Sequence, residues 1–243
     1  PGTEWPLFEG PAAGSEHLFS PLEQMDQGTI VLWEKLDRIV TDGFRSTDMM
    51  ELADGIESHL AMTFHRLLEG QQPKLHLRLN QRAVRPWDPF LTGHAGKALE
   101  TPEYRILHAT DVIVQCHVLP HRDMLKSSEQ ETAAGPGGWT QQEGFYVYRN
   151  KRLLLAGGWL GLGDGGRQWS RDEAHRLARI RIDIPNSADH EWKINVMKST
   201  ASPPVRQRSQ LHRLAYETRD TARRVFAHRG HITPVSRTQS NAI

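Results

Sequence analysis

One lysine near the end of the sequence has the setting that phosphate chemistry requires. Lys198 follows a strand-like segment, 192–196, and precedes a run of small residues and prolines at 199–204. A lysine side chain is a compact positive charge on a flexible stem, so it suits a phosphate oxygen that another domain brings in. We therefore expect Lys198 to contact phosphate from a short loop, and the alternative is a solvated surface lysine.

A glycine-rich run, 157–166, has the spacing of a dinucleotide-binding loop. Gly161, Gly163 and Gly166 satisfy the G-x-G-x-x-G pattern, in which glycines let the backbone approach a pyrophosphate. The pattern is meaningful where it joins a strand to a helix within a βαβ unit, and no such unit surrounds this run. We interpret 157–166 as a flexible loop between a hairpin and a short helix.

Two histidines near the single cysteine raise the question of a metal site. His117 and His121 are four residues apart, next to Cys116 and close to Asp123. Histidines at that spacing share a face on a helix, whereas 111–119 has the apolar pattern of a strand. We expect no metal site here, and the sequence also lacks the nucleophile-elbow motif of serine hydrolases.

Positive charge is concentrated in the last expected helix, 205–228, which carries six arginines against two acidic residues. A basic face of this kind can lie along a nucleic-acid backbone. Arg206, Arg213 and Arg224 are then the candidate contacts. The alternative is a solvated helix face whose opposite, apolar side packs on a sheet.

The composition is that of a globular protein with a sizeable core. The chain has 243 residues, 37% hydrophobic and 24% charged. Residues 1–70 hold 4 Lys/Arg and 13 Asp/Glu, a balance of −9, so residues 71–243 balance at +10 within a net charge of +1. One cysteine excludes a disulfide framework and indicates a reducing, cytoplasmic compartment. Neither a signal-peptide pattern nor an apolar run of about 20 residues is present, so we expect no membrane contact and a fragment or trimmed chain.

The elements that must position these residues follow from periodicity and turn residues. We expect a helix at 47–69 that is capped by Asp48 with Glu51 and ended by Gly70, and a hairpin at 144–156 that turns at Asn150–Lys151. Further helices are expected after a Ser170–Glu173 capping box and at 205–228. Strands are expected at 28–36, 75–79, 111–119, 178–184 and 192–196. Irregular segments are expected at 1–27, 121–143 and 231–243. This order predicts an α+β or α/β fold with helices on one face of a mixed sheet.

Three segments together resemble the GHKL ATPase superfamily, which includes gyrase B, MutL, the heat-shock-protein-ninety chaperones and the MORC proteins. They are the strand-like Gly28–Trp33 followed by Leu36, the Gly144–Asn150 hairpin, and the block Asp183…Asp189…Lys198. The chain is most similar to bacterial MORC-like, HATPase-containing proteins, over about residues 28–230.

The resemblance implies a transducer domain of the ribosomal-protein-S-five-domain-2-like fold at 43–204. It is preceded at 1–42 by the closing strand of an ATP-binding domain and followed by the basic helix, 205–230, and a flexible tail, 231–243. Thr29 would lie by the adenine pocket and Lys198 would reach the γ-phosphate.

ATP and Mg²⁺ are the implied cofactors, and the implied partners are an upstream ATP-binding domain of the same protein and a second copy in a homodimer. The motifs that hold nucleotide and magnesium are expected in that upstream domain. The isolated chain is therefore expected to be inactive, and its function is to couple ATP binding to conformational change. The alternative is a non-enzymatic module that binds nucleic acid, such as DNA, through its basic second half.

Overall fold

The computed structural model divides the chain into two compact units, residues 1–49 and 50–243. It describes residues 10, 14–33, 36–107, 109, 111–188, 190–194 and 201–229. The expected tail at 231–243 lies outside the described residues, as do Glu34, Lys35 and the segment 195–200, which includes Lys198.

The first unit contains a 3-10 helix, Glu16–Gln24, within the segment that the sequence predicts to be irregular. The predicted strand at 28–36 is wrong for its described part, because residues 28–33 belong to no strand. Val31 and Trp33 are 72% and 76% exposed there. A strand needs a neighbouring strand to satisfy its backbone and a surface to bury its side chains, and the described residues of the first unit provide neither around this segment.

Two groups of strands separate helices along the rest of the described chain. The helices are α1 Ser46–Thr63, α2 His65–Leu68, α3 Ser127–Ala134 and α4 Val205–Ala227. The strands are β1 Arg78–Leu79, β2 Arg82–Ala83, β3 Leu99–Glu100, β4 Tyr104–Arg105, β5 Ile113–Val118, β6 Gly144–Arg149, β7 Arg152–Ala156, β8 Gly163–Asp164, β9 Arg167–Gln168 and β10 Ala178–Ile184.

The central element is a six-stranded mixed sheet in the order β3-β5-β10-β6-β7, with β4 also paired to β5. Strand β10 runs antiparallel to β5 and parallel to β6, so it lies between the two as the most completely paired strand. Its sequence is apolar at Ala178, Ile180, Ile182 and Ile184, as expected for a strand in the middle of a sheet. The expected mixed sheet in an α+β fold is therefore confirmed.

The hairpin formed by β6 and β7 turns at Asn150–Lys151, as the sequence predicts. Both residues have positive φ, 48° and 67°, which is the geometry of a type I′ turn. Before the hairpin, Gly144 passes so close to Gly158 that a Cβ at Gly144 would lie 2.2 Å from the carbonyl oxygen of Gly158. Glycine is required there because the two backbones are in contact.

Helices pack on both faces of the sheet, which corrects the expectation of helices on one face. Alternate residues of a strand point to opposite faces, so Phe145 and Val147 belong to the core with α4, whereas Tyr146 and Tyr148 belong to a second core on the other face. On that second face the ring of His65 from α2 bonds the hydroxyl of Tyr148 at 2.8 Å.

Several local expectations need correction. The helix predicted at 47–69 is interrupted at Phe64, between α1 and α2. Asp48 does cap its start, but by accepting the N–H of Arg45 at 2.8 Å. The strand predicted at 75–79 shortens to β1, and the loop predicted at 121–143 contains α3.

Two further elements are absent where the structure describes the chain. Residues 173–177 form turns and not the helix that Ser170 and Glu173 predict, and Trp192 and Lys193 lie in a turn and not in a strand. None of the described helices is long and apolar enough to cross a membrane.

Candidate functional site

The segment that carries Lys198 lies outside the described residues, but its two ends are described. Trp192 is fully buried and Pro203 is buried. The backbone N–H of Ser202 donates to the carbonyl oxygen of Trp192 at 2.8 Å. This bond joins the two described ends of the segment at a point after β10 and before α4.

Thr29, the other residue expected at a nucleotide, lies in the first unit within the exposed segment 28–33. Its side chain is exposed, and no described element surrounds it to form a pocket. The structure of the first unit alone therefore gives Thr29 no binding partner among the described residues.

The arginines of α4 are largely committed to protein partners. Arg206 pairs with Glu191, and Arg223 and Arg224 both pair with Asp220. In contrast, Arg213 is exposed and has no ion-pair partner within the described part of the chain. The helix itself is confirmed, because Val205–Ala227 matches the predicted 205–228 within two residues.

A buried polar cluster ties α4 to the sheet, and the sequence analysis did not identify it. Glu143 lies immediately before β6 and is completely buried. Its Oε1 atom accepts the indole N–H of Trp159 and the backbone N–H of Asp172, each at 3.0 Å. Its Oε2 atom has no hydrogen-bond partner among the described residues.

The positive charge in this cluster comes from Arg219 in α4, which is 8% exposed. The centre of its guanidinium lies 4.4 Å from the ring of Trp159 and 4.8 Å from the ring of Trp169, which are cation–π distances. Its Nη2 atom lies 3.5 Å from the carboxylate of Asp172 and 3.2 Å from Nδ1 of His175. The Nη1 atom has no partner among the described residues.

Burial dominates the electrostatics of this cluster. It raises the pKa of Glu143 to about 7, although the hydrogen bond from Trp159 acts in the opposite direction. Burial also lowers the pKa of His175, and the hydrogen bond to Asp172 opposes that change. The cluster therefore contains a carboxyl group that holds its proton up to neutral pH beside a histidine that favours its neutral form.

The periodicity of α4 could have revealed Arg219. Leu211 and Ala215 lie on the buried face, and Arg219 follows Ala215 by four residues while preceding Ala222 by three. An arginine on an apolar stripe must be paired or stacked. Glu143 gave no comparable pattern, because a carboxylate before a strand is ordinarily exposed.

The second face of the sheet holds another polar group, made of His65, Glu69 and Asp88. Their ligand atoms lie within 4.8 Å of one another, close enough to surround a metal ion. However, His65 uses Nδ1 to bond Glu69 at 2.7 Å and Nε2 to bond Tyr148 at 2.8 Å. Asp88 accepts the backbone N–H groups of Phe90 and Thr92. We interpret this group as a structural contact that holds the 87–92 segment against α2.

The histidines that the sequence places near Cys116 do not converge. Cys116 and His117 are successive residues of β5, so their side chains point to opposite faces of the sheet. Burial raises the pKa of Cys116 to about 11 and lowers the pKa of His117 to about 4. The cysteine is therefore a thiol at neutral pH, and His117 is a neutral ring whose centroid lies 4.7 Å from that of Phe90, with the two rings tilted.

Comparison with protein-family models, with curated proteins and with solved structures returns no match to this chain. The function is therefore argued from the geometry of the described residues and from the resemblance of the sequence segments.

Proposed function

We propose that this chain is the transducer part of a GHKL-type ATPase and couples ATP binding in a separate domain to conformational change. In this proposal Lys198 contacts the γ-phosphate, and the mixed sheet with α4 carries the resulting displacement. A transducer of this kind has to present a cation on a firm base and connect that base to a rigid element.

The observation that carries the proposal is the bond between the two described ends of the segment that contains Lys198. Ser202 and Trp192 are joined by a backbone hydrogen bond of 2.8 Å, and Trp192 is anchored in the main core. In this proposal a force on the lysine is passed to the main core through Trp192 and to α4, which begins three residues after Ser202.

Helix α4 is suited to transmit such a displacement. It packs against β5 and β10 through fully buried residues such as Leu211 and Ala215. The cluster of Glu143 and Arg219 then fixes its second half to the start of β6. Rigid packed elements with discrete arrangements are the physical means by which two sites are coupled.

The exposed segment 28–33 supports the same proposal. Its sequence favours a strand, and Val31 and Trp33 are left exposed in the first unit. Large exposed apolar side chains of this kind mark a surface that another protein element covers. An adjacent sheet edge, such as that of an ATP-binding domain, would pair this backbone and bury both side chains.

The nucleic-acid alternative has weaker support. A phosphate backbone is bound by arginines and lysines that are free to contact it, whereas Arg206, Arg223 and Arg224 are paired with acidic side chains of this chain. Breaking those pairs would offset part of the gain from phosphate contact. We therefore do not propose nucleic-acid binding through α4.

The experiment compares Lys198→Ala with Lys193→Ala in a protein that includes the ATP-binding domain. Lys193 is an exposed lysine at the base of the same loop and serves as the matched control. A contact made chiefly in the transition state lowers kcat and leaves KM unchanged. We expect Lys198→Ala to reduce kcat by about a hundredfold and Lys193→Ala to behave like the wild type.

Two results would contradict the proposal. Unchanged turnover in Lys198→Ala would remove this lysine from the mechanism. Phosphate release by the isolated chain with Mg-ATP, well above that of a heat-denatured sample, would show that the chain has hydrolytic residues of its own, because a transducer supplies no group to orient the attacking water.

A further inference from the structure

A broadly open surface cavity of about 350 Å³ lies between the β8–β9 hairpin and the first half of α4. The glycine-rich run that the sequence analysis singled out forms one wall, and the opposite wall comes from Arg208, Ser209 and His212. The run is therefore not only a connecting loop, since it contains β8, which pairs with β9 just beyond the end of the run. A concave cavity of this size falls in the range that accepts small ligands.

The lining of this cavity is positively charged. Arg167 and Arg208 both contribute to it, and no acidic residue is part of the lining. Arg208 donates from Nη2 to the carbonyl oxygen of Gly161 at 2.7 Å, which holds its guanidinium at the rim and leaves its other N–H groups available. No residue in the described part of the chain forms an ion pair with Arg167.

Asp164, which follows Gly163 in β8, has hydrogen-bond partners of its own. Asp164 accepts the indole N–H of Trp169 at 3.0 Å and bonds Nε2 of His212 at 2.8 Å. His212 in turn stacks on Trp169, with ring centroids 4.8 Å apart. These contacts fix the imidazole of His212 in the cavity wall and hold Asp164 out of the lining.

The missing side chain at Gly161 keeps the cavity open. Gly161 has a φ of 68°, and a Cβ there would approach Arg208 Nη2 at 3.9 Å and Gln168 Nε2 at 3.6 Å. A side chain at this position would therefore extend into the space in front of the Arg208 guanidinium. Glycine leaves both that guanidinium and the backbone accessible to a ligand.

We propose that this cavity binds the phosphate group of a small phosphorylated molecule. Two guanidinium groups match the charge of a phosphate dianion and the geometry of its oxygens. Ser209 adds a hydroxyl and His212 an imidazole that can contact the rest of the ligand. The cavity offers two guanidinium groups at one place, whereas a nucleic-acid duplex is bound by cations spread along its backbone, so a small ligand is favoured over a duplex.

Inorganic pyrophosphate is the probe for the first experiment, by isothermal titration calorimetry at low salt with the whole chain. We expect binding at or below about millimolar concentration. Arg167→Gln and Arg208→Gln should each weaken it about tenfold, since each removes charge-assisted hydrogen bonds. Ser209→Asp should abolish binding, because it places a negative charge in the lining at an exposed position that the fold tolerates.

Arg213→Gln is the matched control, because Arg213 is an exposed arginine of the same helix that does not line the cavity. It should bind pyrophosphate as the wild type does. Thermal melts of all four variants establish that each is folded, and Arg167→Gln is the decisive variant because Arg167 makes no ion pair in the described residues. Ribose 5-phosphate, tested beside inorganic phosphate, shows whether the organic part of the ligand adds affinity.

Three results would overturn the assignment. The first is that the folded wild type does not bind pyrophosphate. The second is that Arg213→Gln and Arg167→Gln weaken pyrophosphate binding equally, which would indicate a general attraction to the positively charged surface. Displacement of pyrophosphate by a short DNA duplex, with the same loss in every arginine variant, would assign the charge to nucleic acid. Each outcome is independent of Lys198 and of the transducer proposal.

Discussion

Replacing Glu143 with glutamine measures the energetic effect of one buried carboxyl group in the cluster that fixes α4 to the sheet. Glutamine has the same shape, and its Oε1 atom can still accept the N–H groups of Trp159 and Asp172. It cannot ionise. The variant therefore removes the titration at this position while keeping the two hydrogen bonds.

The magnitude follows from the pKa of Glu143, which burial raises from 4.5 to about 7. The folded protein thus keeps a proton that the unfolded chain releases between these two pH values. The contribution of Glu143 to the free energy of unfolding therefore falls as the pH rises through this window, because this group binds more protons in the folded state there. The total fall is roughly 3 kcal/mol, at about 1.4 kcal/mol for each pKa unit.

Urea unfolding, followed by tryptophan fluorescence at about pH 5 and about pH 8, measures the effect. We expect the free energy of unfolding of Glu143→Gln, relative to wild type, to rise by roughly 2–3 kcal/mol between the two pH values. His175 and Arg219 are present in both proteins, so their own contributions cancel to first order. The comparison isolates Glu143.

Glu217→Gln is the control, since Glu217 is an exposed carboxylate on α4 and the replacement is the same in chemistry and size. The difference in the free energy of unfolding between Glu217→Gln and the wild type should change by less than about 0.5 kcal/mol between the two pH values. If Glu143→Gln and Glu217→Gln show the same pH dependence, the carboxyl group of Glu143 ionises as an ordinary surface group and the reasoning fails.

Three other predictions concern stability and binding. Leu211→Ala truncates a fully buried residue of α4 and should lower the free energy of unfolding, measured in urea, by about 2–5 kcal/mol. Val205→Ala, at an exposed position, should change it by less than about 0.5 kcal/mol. Equal effects would mean that α4 is not packed as described. Lys151→Gly should raise the melting temperature, because its φ of 67° costs a non-glycine residue about 1 kcal/mol, and a lower melting temperature would contradict the turn geometry. Replacing three exposed arginines of α4 with glutamine should leave the salt dependence of any binding to a labelled duplex unchanged, as measured by fluorescence anisotropy, and a flattened slope would restore the nucleic-acid function. The three are Arg206, Arg213 and Arg224.

The sequence alone predicted an element correctly where residues within that element determine its structure. The β6–β7 hairpin was predicted because Asn150 accepts the left-handed conformation that the turn needs. Helix α4 and strand β10 were predicted because their apolar periods match 3.6 and 2 residues. Each of these patterns depends on residues that are close together in the sequence. The tertiary structure is compatible with the local preference in each case.

The predictions failed where an element depends on a distant partner. The strand predicted at 28–36 has residues that favour a strand, but no described strand pairs with it. The helix predicted after Ser170 is replaced by turns, in which the backbone N–H of Asp172 donates to Glu143 and the side chains of Asp172 and His175 contact Arg219. Sequence patterns contain no information about which distant backbone or side chain will be adjacent.

The sequence by itself indicated the mixed character of the sheet and the long basic helix, and it singled out the lysine that we propose as a phosphate contact. Only the tertiary structure brought Arg208 and Arg167 to one cavity, and only it buried Glu143 against Arg219. These residues are 41 and 76 positions apart in the sequence. Their association is decided by the packing of α4 on the sheet, since desolvation and convergent charge arise from three-dimensional proximity.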